Sequence, residues 1–181
     1  MDRIVVEQAR SGDRAAFARL ATDLSHQLYP VAVRILRDPE AAGDAVQATL
    51  VDIWRDLPSL RDPDRMDAWA HRIVVNRCRS HLRKTRRLPA IVDLLEADRA
   101  APSEDLSLEF RDELERAFAR LSCDHRAVLV LVYFRDLTLQ QSAALLGISV
   151  GTVKSRLFAA RQAMRAAVDA DARPIIQEGP A

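Results

Sequence analysis

The sequence predicts an all-α protein of two small helical domains joined by a flexible linker, the C-terminal domain carrying a helix-turn-helix. Three observations predict it. Apolar residues recur at threes and fours along most of the chain, the spacing of one helix face. Only five glycines occur in 181 residues, and alternating β-branched runs are scarce. Hydrophobic residues make up 49%, enough to fill helical cores.

The first piece runs to about Arg37. Asp13 follows the Ser11-Gly12 break as an N-cap, and Phe17, Leu20, Leu24, Leu28 and Val31 repeat behind it. Pro30 is expected to kink or break this segment. Asp38-Pro39 starts the next helix, an acidic cap with proline at the first helical position. Ala42, Ala45, Val46, Leu50, Ile53, Trp54 and Leu57 carry it to Pro58. A polar loop, PSLRDPDRMD, precedes a long helix from about Asp64 to Arg87, with Met66, Trp69, Ala70, Ile73 and Val74 inward. These elements make a domain over 1–87. Residues 88–103 read as linker, and a second domain over 104–170 opens near Glu104. Phe110, Leu114, Ala117, Phe118 and Leu121 form its first stripe, and Ser122 caps a helix with Val128, Leu129, Leu131, Val132 and Phe134 as core. Residues 171–181 are a short tail.

The most informative stretch is LTLQQSAALLGISVGTVKSRLFAARQAMR, residues 137–165. Thr138 and Gln141 fit a capping box. Gly147 sits where a helix must end in the left-handed conformation, and Ser149 is placed to cap the next helix. Val153, Leu157, Ala160 and Met164 give that helix one apolar face. Thr152, Lys154, Ser155, Arg156, Phe158 and Arg161 lie on the others, and no acidic residue occurs between Asp136 and Asp169. A short helix, a glycine turn and a long cationic helix match a helix-turn-helix whose second helix enters the DNA major groove.

Charge is distributed rather than excessive: the formal net charge is +1. From Ala68 to Arg87 there are seven Arg or Lys and no acid, whereas Asp38 to Asp67 holds eight acids against three bases. The basic helix suits a phosphate backbone, and the acidic one suits a basic protein partner. No run of about eighteen apolar residues offers a membrane span, and the N-terminal apolar run is too short for a signal peptide, so a cytoplasmic protein is expected. Two cysteines do not suggest a disulfide framework. Cys78 with His81, and Cys123 with His125, lack metal-site spacing, so no metal or other cofactor is expected. No phosphate loop, nucleophile elbow or paired ligand motif supports an enzyme.

Four stretches in this order resemble the RNA polymerase sigma factors of the extracytoplasmic-function group, within the sigma-70 family. They are SGDRAAFARL, DPEAAGDAVQATLVDIWRDL, DAWAHRIVVNRCRSHLRKTRR and LSCDHRAVLVLVYFRDLTLQQSAALLGISVGTVKSRLFAAR. The resemblance implies a subunit that binds polymerase core through its clamp and flap regions, directs it to promoter DNA and is held in check by an anti-sigma factor. It further implies that Asp44, Gln47, Asp52 and Trp54 sit on the core-binding face. Leu60 and Arg61 would form the pocket for a flipped minus-ten base, with Asn76 and Ser80 beside it. Arg72, Arg77 and Arg83 would hold the separated strand. Thr152, Lys154, Ser155 and Phe158 would touch the minus-thirty-five element, with Arg156 and Arg161 on phosphates.

The chain departs from the family pattern in three places. Gly43 stands where an acid is usual, Ser80 replaces a common Asp or Asn, and SCDH at 122–125 replaces a Pro-containing turn. The competing reading is a two-domain helix-turn-helix regulator that does not join polymerase. An ordinary regulator has no reason to follow an acidic 38–57 helix directly with a basic one.

Overall fold

The computed structural model describes residues 2–85 and 108–171, with side chains through 170 and, in the second part, from Asp112. Eight α-helices account for most of them: α1 (Arg3–Arg10), α2 (Arg14–Leu36), α3 (Pro39–Asp56), α4 (Met66–Thr85), α5 (Leu108–Ala119), α6 (Cys123–Leu129), α7 (Leu139–Leu146) and α8 (Val150–Asp171). No strand occurs among the described residues. The linker read over 88–103 and the apolar position Phe110 fall outside the described side chains.

Side-chain caps set the boundaries. Asp13 accepts from the amides of Ala15 and Ala16, and Asp38 accepts from Ala41, so α2 and α3 start where their aspartates satisfy orphan donors. The sequence reading missed α1. It is capped in the same way by Asp2, which accepts from the Ile4 amide at 2.9 Å. Pro30 does not break α2, which runs through it as one 23-residue helix. The buried stripe of Leu24, Leu28, Val31, Ala32 and Ile35 outweighs the single backbone bond that proline removes. The α2 helix ends at Arg37 in the left-handed conformation (φ 59°), a position with no glycine to announce it.

The first half is α1 to α4 packed around Leu20, Leu24, Leu28, Ile35, Ile53, Leu57, Met66 and Val74, none more than 1% exposed. Fully burying one such side chain contributes roughly 1.5–3 kcal/mol. The second half packs α5, α6 and α7 against α8 through Ala117, Val128, Leu131, Val153 and Ala160. One turn of π-helix, Val130–Phe134, closes α6 and was not legible in the sequence. The halves are docked: α4 meets α6 and α7, α2 meets α6 and the π turn, and one apolar cluster runs through both. No single described helix is long and apolar enough to cross a membrane.

Candidate nucleic-acid and polymerase interface

The helix-turn-helix is built by local bonds that its sequence dictates. The Thr138 hydroxyl accepts from the Gln141 amide while the Gln141 side chain accepts from the Thr138 amide, closing the capping box from both sides. Gly147 ends α7 at φ 65°, which costs a residue with a Cβ about 1–2 kcal/mol. Ser149 then accepts from the Thr152 amide at 3.0 Å and starts α8. Val153, Leu157 and Ala160 are buried, which fixes the roll of α8. Lys154, Ser155, Phe158 and Arg161 therefore share the solvent face, with Phe158 66% exposed.

Not every predicted member of this face is equally available. The Thr152 hydroxyl is engaged by Ser149 at 2.8 Å. Arg156 is half-buried and paired with Asp124 at 3.1 Å. Arg161 donates to the Tyr133 hydroxyl at 2.6 Å and lies over that ring. Tyr133, exposed beside the reading face, escaped the sequence reading because the π turn that presents it has no sequence mark.

On α4, Arg72, Asn76, Ser80 and Arg83 recur at four, four and three residues and form one stripe, exposed except for half-buried Ser80. The Ser80 hydroxyl accepts from Arg83 at 3.0 Å. Arg77 lies off this stripe and donates to Asp52 at 2.9 Å, so two residues expected to serve different partners hold each other. Leu60 is half-buried and Arg61 exposed, in the loop before α4. That loop is braced by α1, which the sequence reading missed. Arg10 donates to the Leu60 carbonyl at 3.1 Å, and Arg3 pairs with Asp64 at 3.0 Å.

Asp44, Gln47, Val51 and Trp54 form a stripe along α3 at spacings of three, four and three. Val51 is 61% exposed and Trp54 44% exposed, with Trp54 edge-on to Phe17 at 4.5 Å between centroids. Asp52 points away from this stripe, towards Arg77 and Arg55. Beside the stripe, α2 and α3 leave an apolar groove of about 440 Å3 that Tyr29, Gly43, Val46 and Gln47 help to line. Gly43 has open space where a Cβ would stand, so steric need does not explain its glycine.

Burial shifts two groups on α4. His71 is buried, with Nδ1 against the Asp67 carbonyl at 2.8 Å and Nε2 without a hydrogen-bond partner among the described residues. Desolvation lowers its pKa from 6.5, more than the Asp67 bond and charge restore, and Arg135 lowers it further. The Cys78 thiol is pushed up to about 12, first by burial and then by Cys123. It behaves as a small apolar side chain. No cluster of three metal-ligating side chains occurs among the described residues.

The same two regions are matched by known families. Sigma-70 region 2 matches residues 20–88, and sigma-70 region 4 matches residues 117–166. The chain is 35% identical over 154 residues to the ECF RNA polymerase sigma factor SigM of Mycobacterium tuberculosis, covering 83% of this chain and 76% of that one. It is 29% identical to the RNA polymerase sigma-H factor of Pseudomonas aeruginosa, covering 98% and 96%. Among solved structures it is similar to the sigma factor RpoE of Bartonella quintana, determined in complex with the anti-sigma factor NepR. That likeness has a TM-score of 0.65 at 25% identity and covers 86% of this chain and 98% of the other.

Proposed function

The chain belongs to the extracytoplasmic-function group of the sigma-70 family, and from that premise we propose which of its residues do the family's work. As a member, it is a transcription initiation factor that joins RNA polymerase core and directs it to promoters. We assign core binding and minus-ten opening to a domain over 1–87, and minus-thirty-five recognition to a domain over 104–170, with 88–103 between them. The observation that carries the assignment is the pair of outward faces: an α8 capped by Ser149 and without an acid from Val150 to Val168 in one half, and the Arg72–Asn76–Ser80–Arg83 stripe in the other.

A preformed cationic helix suits intact duplex, because phosphate contacts release counterions without rearranging the protein. Lys154, Ser155 and Phe158 would meet the groove, with Arg161 on a phosphate and Thr152 and Arg156 at the edge. An opened strand asks for more. Extruding a base costs a few kcal/mol, which a pocket and a cationic groove must offset. Leu60 and Arg61 would supply the pocket, Asn76 and Ser80 its polar wall, and Arg72, Arg77 and Arg83 the groove. Asp44, Gln47 and Trp54, with exposed Val51 between them, would dock on the polymerase clamp. Asp52 would act at one remove, by fixing Arg77. The relative solved with an anti-sigma factor supports control of this chain by a protein of that kind.

The test is reconstitution. Purified protein with core polymerase should give transcription from defined promoters that core alone does not give. Equal transcription by core alone would refute the reading.

A further inference from the structure

The π turn puts an aromatic residue against the far end of the α8 reading face. The Arg135 amide closes the turn by donating to the Val130 carbonyl at 3.0 Å. In an α-helix Tyr133 would follow Val130 by three residues and share its buried face. The wider turn keeps Val130 and Leu131 buried and swings Tyr133 out to 53% exposure. There its hydroxyl accepts from Arg161 Nε at 2.6 Å and also faces Nη2, while the guanidinium lies 5.3 Å over the ring. A cation within about 6 Å of a ring face is attracted to it.

Two arginines of α8 are held by different chemistry. Arg156 is answered by the Asp124 carboxylate, which offsets its charge. Arg161 is answered by a hydroxyl, which leaves its charge whole. With Nε and Nη2 against Tyr133, Nη1 keeps its N–H donors for a ligand. The Tyr133 hydroxyl accepts from a cation and keeps its own hydrogen, and that polarisation makes it a stronger donor. Lys154, Phe158 and Arg161 follow one another at four and three residues on one face. Lys154 to Arg161 spans about 10 Å along the axis at 1.5 Å per residue. The major groove is about 12 Å wide. With the start of α8 in the groove, Arg161 and Tyr133 therefore reach its wall, where the ligand on offer is a phosphate oxygen.

We propose that Tyr133 and Arg161 together bind one backbone phosphate of duplex DNA, at the edge of the groove that α8 enters. The guanidinium supplies the charge. The phenol supplies a second donor and holds the guanidinium in place. This rests on the duplex reading by α8 given above. Phosphate contacts fix register and orientation rather than sequence, so the pair seats α8 and leaves base choice to Lys154, Ser155 and Phe158.

The test uses holoenzyme reconstituted from the full chain and core polymerase, on a promoter duplex that the wild type transcribes. Tyr133→Phe keeps the ring and removes the hydroxyl, whereas Arg161→Ala removes the charge. Tyr133→Phe should weaken duplex binding about fivefold, the loss of one hydrogen bond, with the salt slope unchanged because no charge is lost. Arg161→Ala should weaken binding about tenfold and lower the slope by about one unit. Adding Tyr133→Phe to Arg161→Ala should weaken it by less than about twofold more, because the two side chains share one phosphate. A neutral methylphosphonate placed at each upstream phosphate in turn should, at one position, erase the difference between Tyr133→Phe and wild type. Thermal unfolding of Tyr133→Phe should match wild type, which a merely structural role would not allow. Unchanged binding by Tyr133→Phe, a full fivefold loss on top of Arg161→Ala, a lowered melting temperature, or no phosphate whose neutralisation erases the difference would overturn the pair. A wild-type holoenzyme that transcribes no promoter duplex would overturn duplex reading itself, and the pair with it.

Discussion

Two basic helices of this protein look alike in sequence and differ in what surrounds them. The α8 helix carries its cations on a segment without acids, and its roll is fixed from within by Val153, Leu157 and Ala160. Lys154 and Phe158 stand clear of the rest of the molecule. The α4 helix is richer in arginine, yet two of its cations are answered by carboxylates from other helices: Arg77 by Asp52 and Arg79 by Asp124. A count of positive residues therefore overstates what α4 offers to a nucleic acid, and on α8 it overstates through Arg156, which Asp124 answers, but not through Lys154, which stands exposed. The difference matches the tasks proposed for the two helices. Duplex DNA is a regular target for a rigid face, whereas a displaced strand must be drawn out along a surface braced on several sides.

Four changes would break or sharpen this contrast. The largest effect is expected from Gly147→Val, which forces a β-branched residue into the left-handed conformation at φ 65°. Destabilisation of about 1–3 kcal/mol should appear in chemical denaturation. Duplex binding should fall with it, because α8 loses its placement. Lys154→Ala comes next. It should weaken duplex binding by about 1 kcal/mol and lower the salt slope by about one unit, with retention of core polymerase in a pull-down unchanged. Loss of core binding by this variant would contradict the division between the two halves.

Asp52→Asn should act in the opposite sense on the other helix. Releasing Arg77 adds a cation to the strand-holding surface, so the salt slope for single-stranded DNA should steepen by about 0.7. Stability should change by less than about 1 kcal/mol, since Arg77 is 46% exposed. The smallest effect concerns His71. Its folded pKa lies below 6.5, so the unfolded chain takes up the proton first as pH falls. The stability that neutral His71 contributes is complete above 6.5 and is lost as pH drops from there towards the folded value. The melting temperature should therefore fall on acidification below 6.5, and His71→Leu should flatten that part of the profile.

What was legible in the sequence was mostly local. Asp13, Asp38, Ser122, Thr138, Gly147 and Ser149 each act on a backbone group within a few residues, and each marks the helix boundary expected of it. The buried sides of α4 and α8, Ala70 and Val74 on one and Val153, Leu157 and Ala160 on the other, followed from apolar periodicity. Long-range partners left no such trace. Nothing near Arg77 announces Asp52, and nothing near Leu60 announces Arg10, fifty residues earlier. Pro30 does not break α2 because tertiary burial outweighs its local cost, and that burial is not visible from the proline. The π turn and the left-handed Arg37 and Asp136 carry no residue type that demands them.

The central claim is that the two helices meet DNA in different states, and site-specific photocrosslinking in an initiation complex tests it most directly. A crosslinker at position 76 should mark unpaired bases in the opened region, and one at position 154 should mark paired bases upstream. Crosslinks from position 76 only to duplex, or from position 154 to the opened strand, would contradict it.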